Sequence, residues 1–259
     1  MSTTTLATPA RADTSSVHAR PGLRRLTAVE LRKAVDTRAG SWLLAAIVAI
    51  TVAVVIVRGV VGDAADHDLR SMLDVALQPA SVLLPIVGIL LVTSEWSQRG
   101  GLITFALTPV RSRVLVAKLF AGLALALAAL AVTLSIIVVG VHVAAPGVDG
   151  AWSSGAAMAG QSAVYLTTSM VTGVAFGALL RNSAPAIVAH FVLPTAWVGL
   201  ASLPAFTDIA PWLDPALGSI SGEVLSATEW THVGTALALW MLLPLAIGTW
   251  RITRREVTA

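Results

Sequence analysis

Long apolar runs separated by short polar breaks set the pattern of this chain. The runs fall at about 41–61, 75–94, 114–144, 160–180, 184–204 and 232–250. Each reaches or nears the roughly 20 residues needed to cross a bilayer as a helix. They are continuous rather than alternating, which disfavours a β-barrel. The pattern predicts an all-α polytopic membrane protein with six transmembrane helices. The run at 114–144 is longer than one crossing needs, so it predicts a helix that tilts or projects. Pro79 and Pro85 lie in the second run, Pro194 in the fifth and Pro244 in the sixth. In a membrane such prolines make either static kinks or hinges.

The segments outside the runs differ in kind. Residues 1–21 are rich in Ser, Thr and Ala without periodicity, and read as a disordered cytoplasmic tail. They do not read as a signal peptide, because the first apolar core begins only near Ser41. Residues 22–38 predict an amphipathic helix. Thr27 and Glu30 form a possible capping box, and Ala28, Leu31 and Val35 make an apolar stripe. Arg25, Arg32, Lys33 and Asp36 fall largely on another face. A basic amphipathic helix suits the inner membrane surface; the plain alternative is a solvated helix beside the membrane. Residues 205–231 hold Pro211, Pro215 and an apolar series from Phe206 to Leu225. They are too apolar for a free loop and too interrupted for a crossing, and predict short helices dipping into the outer leaflet or an ordinary folded cap. Residues 251–259 read as a second cytoplasmic tail.

Charge fixes the expected orientation. Only 12% of the 259 residues are charged, about half the usual share of a soluble domain. With the N-terminus inside, inner segments hold Arg11, Arg20, Arg24, Arg25, Arg32, Lys33, Arg38, Arg99, Arg111, Arg113, Lys118, Arg181, Arg251, Arg254 and Arg255. That is 15 of the 17 basic residues, leaving only Arg58 and Arg70 outside. Nine of the 14 acids fall outside: Asp63, Asp66, Asp68, Asp74, Asp149, Asp208, Asp214, Glu223 and Glu229. This bias predicts both termini in the cytoplasm. It also accounts for a pI near 10.2 without a nucleic-acid partner.

Candidate chemistry is sparse. There is no cysteine, so disulfides and thiolate sites are excluded. No Gly-x-x-x-x-Gly-Lys-Ser/Thr loop exists to cradle ATP phosphates, and no His-Glu-x-x-His to hold zinc. The five histidines, His18, His67, His142, His190 and His232, lie far apart and read as packed or interfacial residues. Ser154 before Gly155 lacks any indicated base, so an intramembrane enzyme has no credible nucleophile. A secondary transporter would show inverted repeats or intramembrane charges, and neither is visible. Gly173-x-x-x-Gly177 permits close helix approach and reads as packing. Asp74 and Gln78 are expected at the outer start of the second span, and Gln161 and Tyr165 near the outer end of the fourth.

The most informative break is 95–113, between the second and third runs. Glu95 and Trp96 reach the inner surface, and Gly100 and Gly101 break the helix. Leu102 to Leu107, including Thr104 and Phe105, predict one short helix stopped by Pro109. Arg111, Arg113 and Lys118 lead back into the membrane. So short a helix is marginal alone. It suits insertion into a partner's groove, or the segment is a plain turn whose arginines enforce topology.

The run Glu95-Trp96-Ser97-Gln98-Arg99, then Thr104-Phe105, Leu107, Pro109, Arg111 and Lys118, resembles the signature of type-2 ABC (ATP-binding cassette) exporter permeases. The wider layout is similar too: a basic amphipathic helix, six spans, an interrupted outer segment with Trp212-Leu213-Asp214-Pro215, and a final Arg254-Arg255. One departure is Gly100-Gly101, where many members place Gly-Thr at the start of the short helix.

The resemblance implies a multi-pass transport subunit of the cell membrane, occupying 22–250, without an ATPase site or cofactor of its own. ATP and magnesium would sit on a partner ABC ATPase, and a second permease copy or paralogue would complete the pathway through the lipid bilayer. The coupling residues would be Glu95, Arg99, Gly100, Gly101, Leu102, Thr104, Phe105, Leu107, Pro109 and Arg111. Thr27, Glu30, Leu31, Arg32 and Lys33 would belong to a connecting helix that braces against the ATPase. Glu95 would be an acid near the inner gate, with Arg99 as a possible partner.

Overall fold

The computed structural model describes residues 22–63, 67–97, 111–144, 146, 152, 155–214 and 224–254; for 95–97, 111 and 253–254 it describes the backbone alone. Six helices in it are long and apolar enough to cross a membrane, and there is no strand among the described residues. In chain order the elements are α1 (Leu23–Asp36), α2 (Arg38–Val61), α3 (Leu69–Ala76), α4 (Gln78–Ser97), α5 (Arg111–Ala144), α6 (Gly155–Leu180), α7 (Ser183–Ala201), α8 (Ala227–Leu237) and α9 (Leu243–Arg254). The spans are α2, α3 with α4, α5, α6, α7, and α8 with α9.

The second span begins earlier than its apolar run suggests. Asp68 caps α3 by accepting a hydrogen bond from the Ser71 amide at 2.9 Å. Asp74 therefore lies inside α3 rather than at its start. Pro79 is the second residue of α4, where the one hydrogen bond its missing N–H removes falls at the junction with α3. The Leu77 amide donates to the Leu73 carbonyl and the Ser81 amide to Leu77, so the path between α3 and α4 stays helical.

The tightest pairing is α4 against α6, and glycine makes it possible. A β-carbon on Gly88 would lie 2.7 Å from the Met170 carbonyl oxygen. One on Gly173 would overlap the Pro85 backbone, and one on Gly177 would lie 3.1 Å from the Ile89 oxygen. Small residues on both helices thus let the backbones touch, which is how helices associate where lipid offers no hydrophobic contrast. Met72, Leu84, Ile89, Leu166 and Met170 are fully buried around this contact. By contrast only 6% of the α7 span and 17% of the α2 span is buried within the chain.

The sixth span changes helical pitch. A π-helical turn over Ala238–Leu242 joins α8 to α9. Pro244 explains it: a proline ring collides with the carbonyl four residues back, here that of Trp240, and the wider turn relieves the collision. Ser226 starts α8 with a capping box to Glu229.

Residues 204–214 hold two single 3-10 turns, Pro204–Phe206 and Ala210–Leu213; residues 215–223 lie outside the described residues. The segment is strapped to the bundle. The Trp240 indole donates to the Leu213 carbonyl at 3.0 Å, and the Thr235 hydroxyl to the Trp212 carbonyl at 2.7 Å. Buried Gln161 accepts the Leu225 amide at 3.0 Å.

Gly173→Ala is expected to lower stability by about 1–3 kcal/mol through overpacking. Gly160→Ala, in the same helix with open space around it, is expected to be neutral or slightly stabilising. Thermal unfolding of both variants in one detergent checks the difference.

Candidate functional site

The residues singled out at 22–38 and the roots of the 98–110 segment meet at one end of the bundle. Two expectations about α1 fail there. The helix starts at Leu23, after Gly22, so Thr27 lies in its second turn and caps nothing. The inward stripe is Leu23, Leu26, Thr27, Glu30 and Ala34, buried or half-buried and spaced by three or four. Ala28 and Val35 are exposed, and of the expected apolar stripe only Leu31 packs against the core. Hydropathy assigns Glu30 no place in a buried stripe, because the partner that draws it inward lies 88 residues away.

That partner is Lys118. Glu30 is 4% exposed and Lys118 is 3% exposed. The ammonium donates to Glu30 Oε2 at 2.5 Å and to the Leu91 carbonyl oxygen at 2.7 Å. Lys33, one turn along α1, donates to Glu30 Oε1 at 2.7 Å. One lysine therefore ties together three elements: α1, the last turns of α4 and the first turns of α5. Charge-assisted bonds in a poorly hydrated site are strong, and removing one partner of a buried pair leaves the other exposed to the full desolvation cost. A small recess beside the pair, ≈ 160 Å³, is lined by Glu30, Lys33, Thr37, Thr93 and Ser94 among others.

The elbow that follows α1 is closely built. Thr37 has extended φ/ψ and ends α1, and its hydroxyl accepts the Gly40 amide at 3.2 Å to begin α2. A β-carbon on Gly40 would overlap the Ala34 carbonyl. Glycine is needed where the two helices fold back so sharply. Hence α1 is fixed to the first span as well as to the second and third.

The other side of α4 and α5 is also packed. Val92, Leu115, Val174, Ala178 and Ile252 form an apolar cluster at the same end. Arg251 donates to the Leu179 carbonyl at 3.0 Å, which ties α9 to the end of α6. Arg181 takes φ +53 between α6 and α7, and Asn182 caps α7 through the Ala184 amide at 3.3 Å.

Of the remaining coupling candidates, Glu95 lies in the last turn of α4 and Arg111 opens α5, both described by backbone alone. Arg99, Gly100, Gly101, Leu102, Thr104, Phe105, Leu107 and Pro109 lie outside the described residues. Arg32 is exposed on α1. The Glu30–Lys118 pairing has a sequence signal that the motif reading passes over. Lys118 follows Val114-Leu115-Val116-Ala117 and precedes a long apolar stretch, so a lysine so enclosed by apolar sequence calls for a counter-charge once its helix packs. Among the described residues, no three His, Cys, Asp or Glu side chains converge as a metal site would require.

Lys118→Met is expected to cost about 3 kcal/mol by stranding Glu30, while the Glu30→Met/Lys118→Met double variant recovers most of the loss. A double-mutant cycle on thermal unfolding reads the coupling; additive losses would deny it.

No protein-family model matches the chain, and no curated protein matches it.

Proposed function

We propose that the chain is the membrane-spanning subunit of an ATP-driven exporter of the type-2 ABC permease kind. The observation that carries this reading is the Lys118 clamp. It joins the helix that resembles the family's connecting helix to both stems of the segment that resembles its coupling helix. A partner ATPase that moved the 98–110 segment would pull on Leu91 and Lys118 together. Through Glu30 the same displacement would reach α1, and through the Thr37 elbow the first span. A permease needs this property: a local push at the docking segment becomes a movement of several helices at once. Glu95, Arg99 and Arg111 would flank the docking helix, with Phe105 and Leu107 as its apolar anchors.

In this reading ATP and its magnesium stay on the partner, and this chain contributes the pathway and the docking helix. Two copies, or this chain with a paralogue, would enclose the pathway in the cell membrane. Both termini would face the cytoplasm, as the distribution of Lys and Arg supports.

Purifying the tagged chain from its native host in mild detergent is expected to bring down a P-loop ATPase at one copy per chain. Phe105→Asp/Leu107→Asp is expected to abolish that association while the chain still inserts into the membrane. Undiminished association would remove the docking role from this segment, and a chain that stays alone even after cross-linking of membranes would turn the reading toward an ATP-independent transporter.

Orientation has its own test, helped by the absence of native cysteine. Asp66→Cys is expected to react with a membrane-impermeant maleimide in intact cells, and Thr258→Cys only after permeabilisation. The opposite pattern would overturn the N-in, C-in assignment.

A further inference from the structure

A cavity of ≈ 310 Å³ lies among α4, α6, α7, the end of α8 and the π-helical turn that follows it. Its lining is unusual for apolar helices. Tyr165, Thr168, Ser169, Thr172 and Phe176 follow one another along one face of α6 at helical spacing. His190 and Thr195 face them from α7, Gln78 and Ser81 from α4, and Trp240 from the π turn. Among the lining residues none is Asp, Glu, Lys or Arg.

Three observations mark it as more than a packing gap. The first is His190. Its Nδ1 is buried and has no hydrogen-bond partner among the described residues. Its ring is held edge-on by Phe176 at 5.5 Å and Phe191 at 4.9 Å between centroids. That nitrogen is enclosed without a protein partner among the described residues, and the ring that carries it forms part of the cavity wall, where it can offer a hydrogen bond to a ligand. The second is backbone irregularity on two walls. Pro194 lies within α7, and the π turn places Trp240 in the wall. Such π turns recur where a helix builds a site. The third is hydrogen-bond polarity. The Thr172 hydroxyl donates to the Thr168 carbonyl at 2.8 Å and the Thr195 hydroxyl to Phe191 at 2.7 Å. Having donated backwards, both oxygens are left as acceptors.

From this chemistry we propose that the cavity is a binding site for an uncharged amphipathic molecule, with an apolar or aromatic body and hydrogen-bond donors such as hydroxyl groups. The rings of Phe176, Phe191 and Trp240 take the body, and the Thr oxygens and His190 take the polar groups. A charged ligand is rejected, because the wall offers no counter-ion to replace its lost water. Its meaning as a cargo site rests on the transport reading above. Occupancy does not, since binding needs only this chain.

The test is photolabelling of the full chain in phospholipid nanodiscs with para-hydroxymethyl-benzophenone, an uncharged probe with one donor. Saturable labelling is expected in the peptides that carry Thr168–Thr172 and His190–Thr195. His190→Phe keeps the ring and removes the nitrogens, and is expected to raise the half-saturating concentration about fivefold, the loss of one hydrogen bond. Ser169→Phe fills the space and is expected to abolish saturation. The carboxylate analogue, para-benzoylbenzoate, is expected to label these peptides at least about tenfold less. Labelling that rises linearly with probe and spreads over outward-facing positions away from the cavity, such as Val57 and Val198, would overturn the site. So would saturation unchanged in His190→Phe, which preserves size and remains informative if Ser169→Phe fails to fold. ATPase association is scored separately, so failure of the cavity and failure of the transport reading are distinct results.

Discussion

An ammonium group seven residues inside a helix that begins at Arg111 has to be met by a counter-charge or be drawn out to water. In this chain it is met by Glu30, and the arrangement of one end of the bundle follows. Because the acid sits on α1, that helix cannot drift free along the surface; it must lie where its carboxylate reaches Nζ. Because Nζ also bonds the Leu91 carbonyl, α4 and α5 are held at fixed separation where the chain leaves them for 98–110. Lys33 takes the second carboxylate oxygen, so the anion is balanced from the solvent side as well. Such a pair contributes less to stability than its Coulomb attraction suggests, since desolvation opposes it. Its stronger consequence is geometric: α1 has one register in which both oxygens are satisfied.

Close packing supplies what the ion pair does not. The glycines of α4 and α6 bring two backbones into contact along the centre of the bundle, and 61% of the second span and 50% of the fourth is buried. These two helices form the rigid axis. The first and fifth spans, barely buried within the chain, present most of their surface to whatever surrounds it. The proposed permease role would use both features: a spine that holds its shape and outer helices free to meet lipid or a second subunit.

The six spans were legible because run length is a direct consequence of bilayer thickness, and most of the helices begin and end within a few residues of their apolar runs. The exceptions were the starts of the second, fourth and sixth spans, the last beginning at Ala227 behind its Ser226 cap. In the second, Asp68 caps a helix the hydropathy pattern starts later, and in the fourth α6 begins at Gly155, ahead of the apolar run. The amphipathic helix was legible as an element but not in its facing. A Thr and a Glu three apart look like a cap anywhere, and only the tertiary partner shows that Glu30 points inward. Local pattern cannot report a contact across 88 residues, although a lysine embedded in apolar sequence does announce that some partner exists. The π turn was half legible: Pro244 signals a disturbed helix, and whether it becomes a kink or a pitch change depends on how the neighbours pack.

The α1 end and the region around the cavity differ in construction, and this bears on how such a chain would work. At the α1 end the helix termini are tied by named bonds: Glu30 to Lys118, Thr37 to Gly40, Arg251 to Leu179, Asn182 to Ala184. Further along, α7 carries Pro194 and the sixth span its π turn, and the cavity they border breaks the packing between them. A rigid base delivers displacement without absorbing it, whereas helices with interrupted hydrogen bonding bend at low cost. In the proposed permease role, a push delivered at the stems of α4 and α5 would pass through the base as a unit and end as bending around the cavity. Exchanging the two regions would place compliance at the α1 end and rigidity around the cavity, and under the proposed role a push would be lost before reaching the cavity.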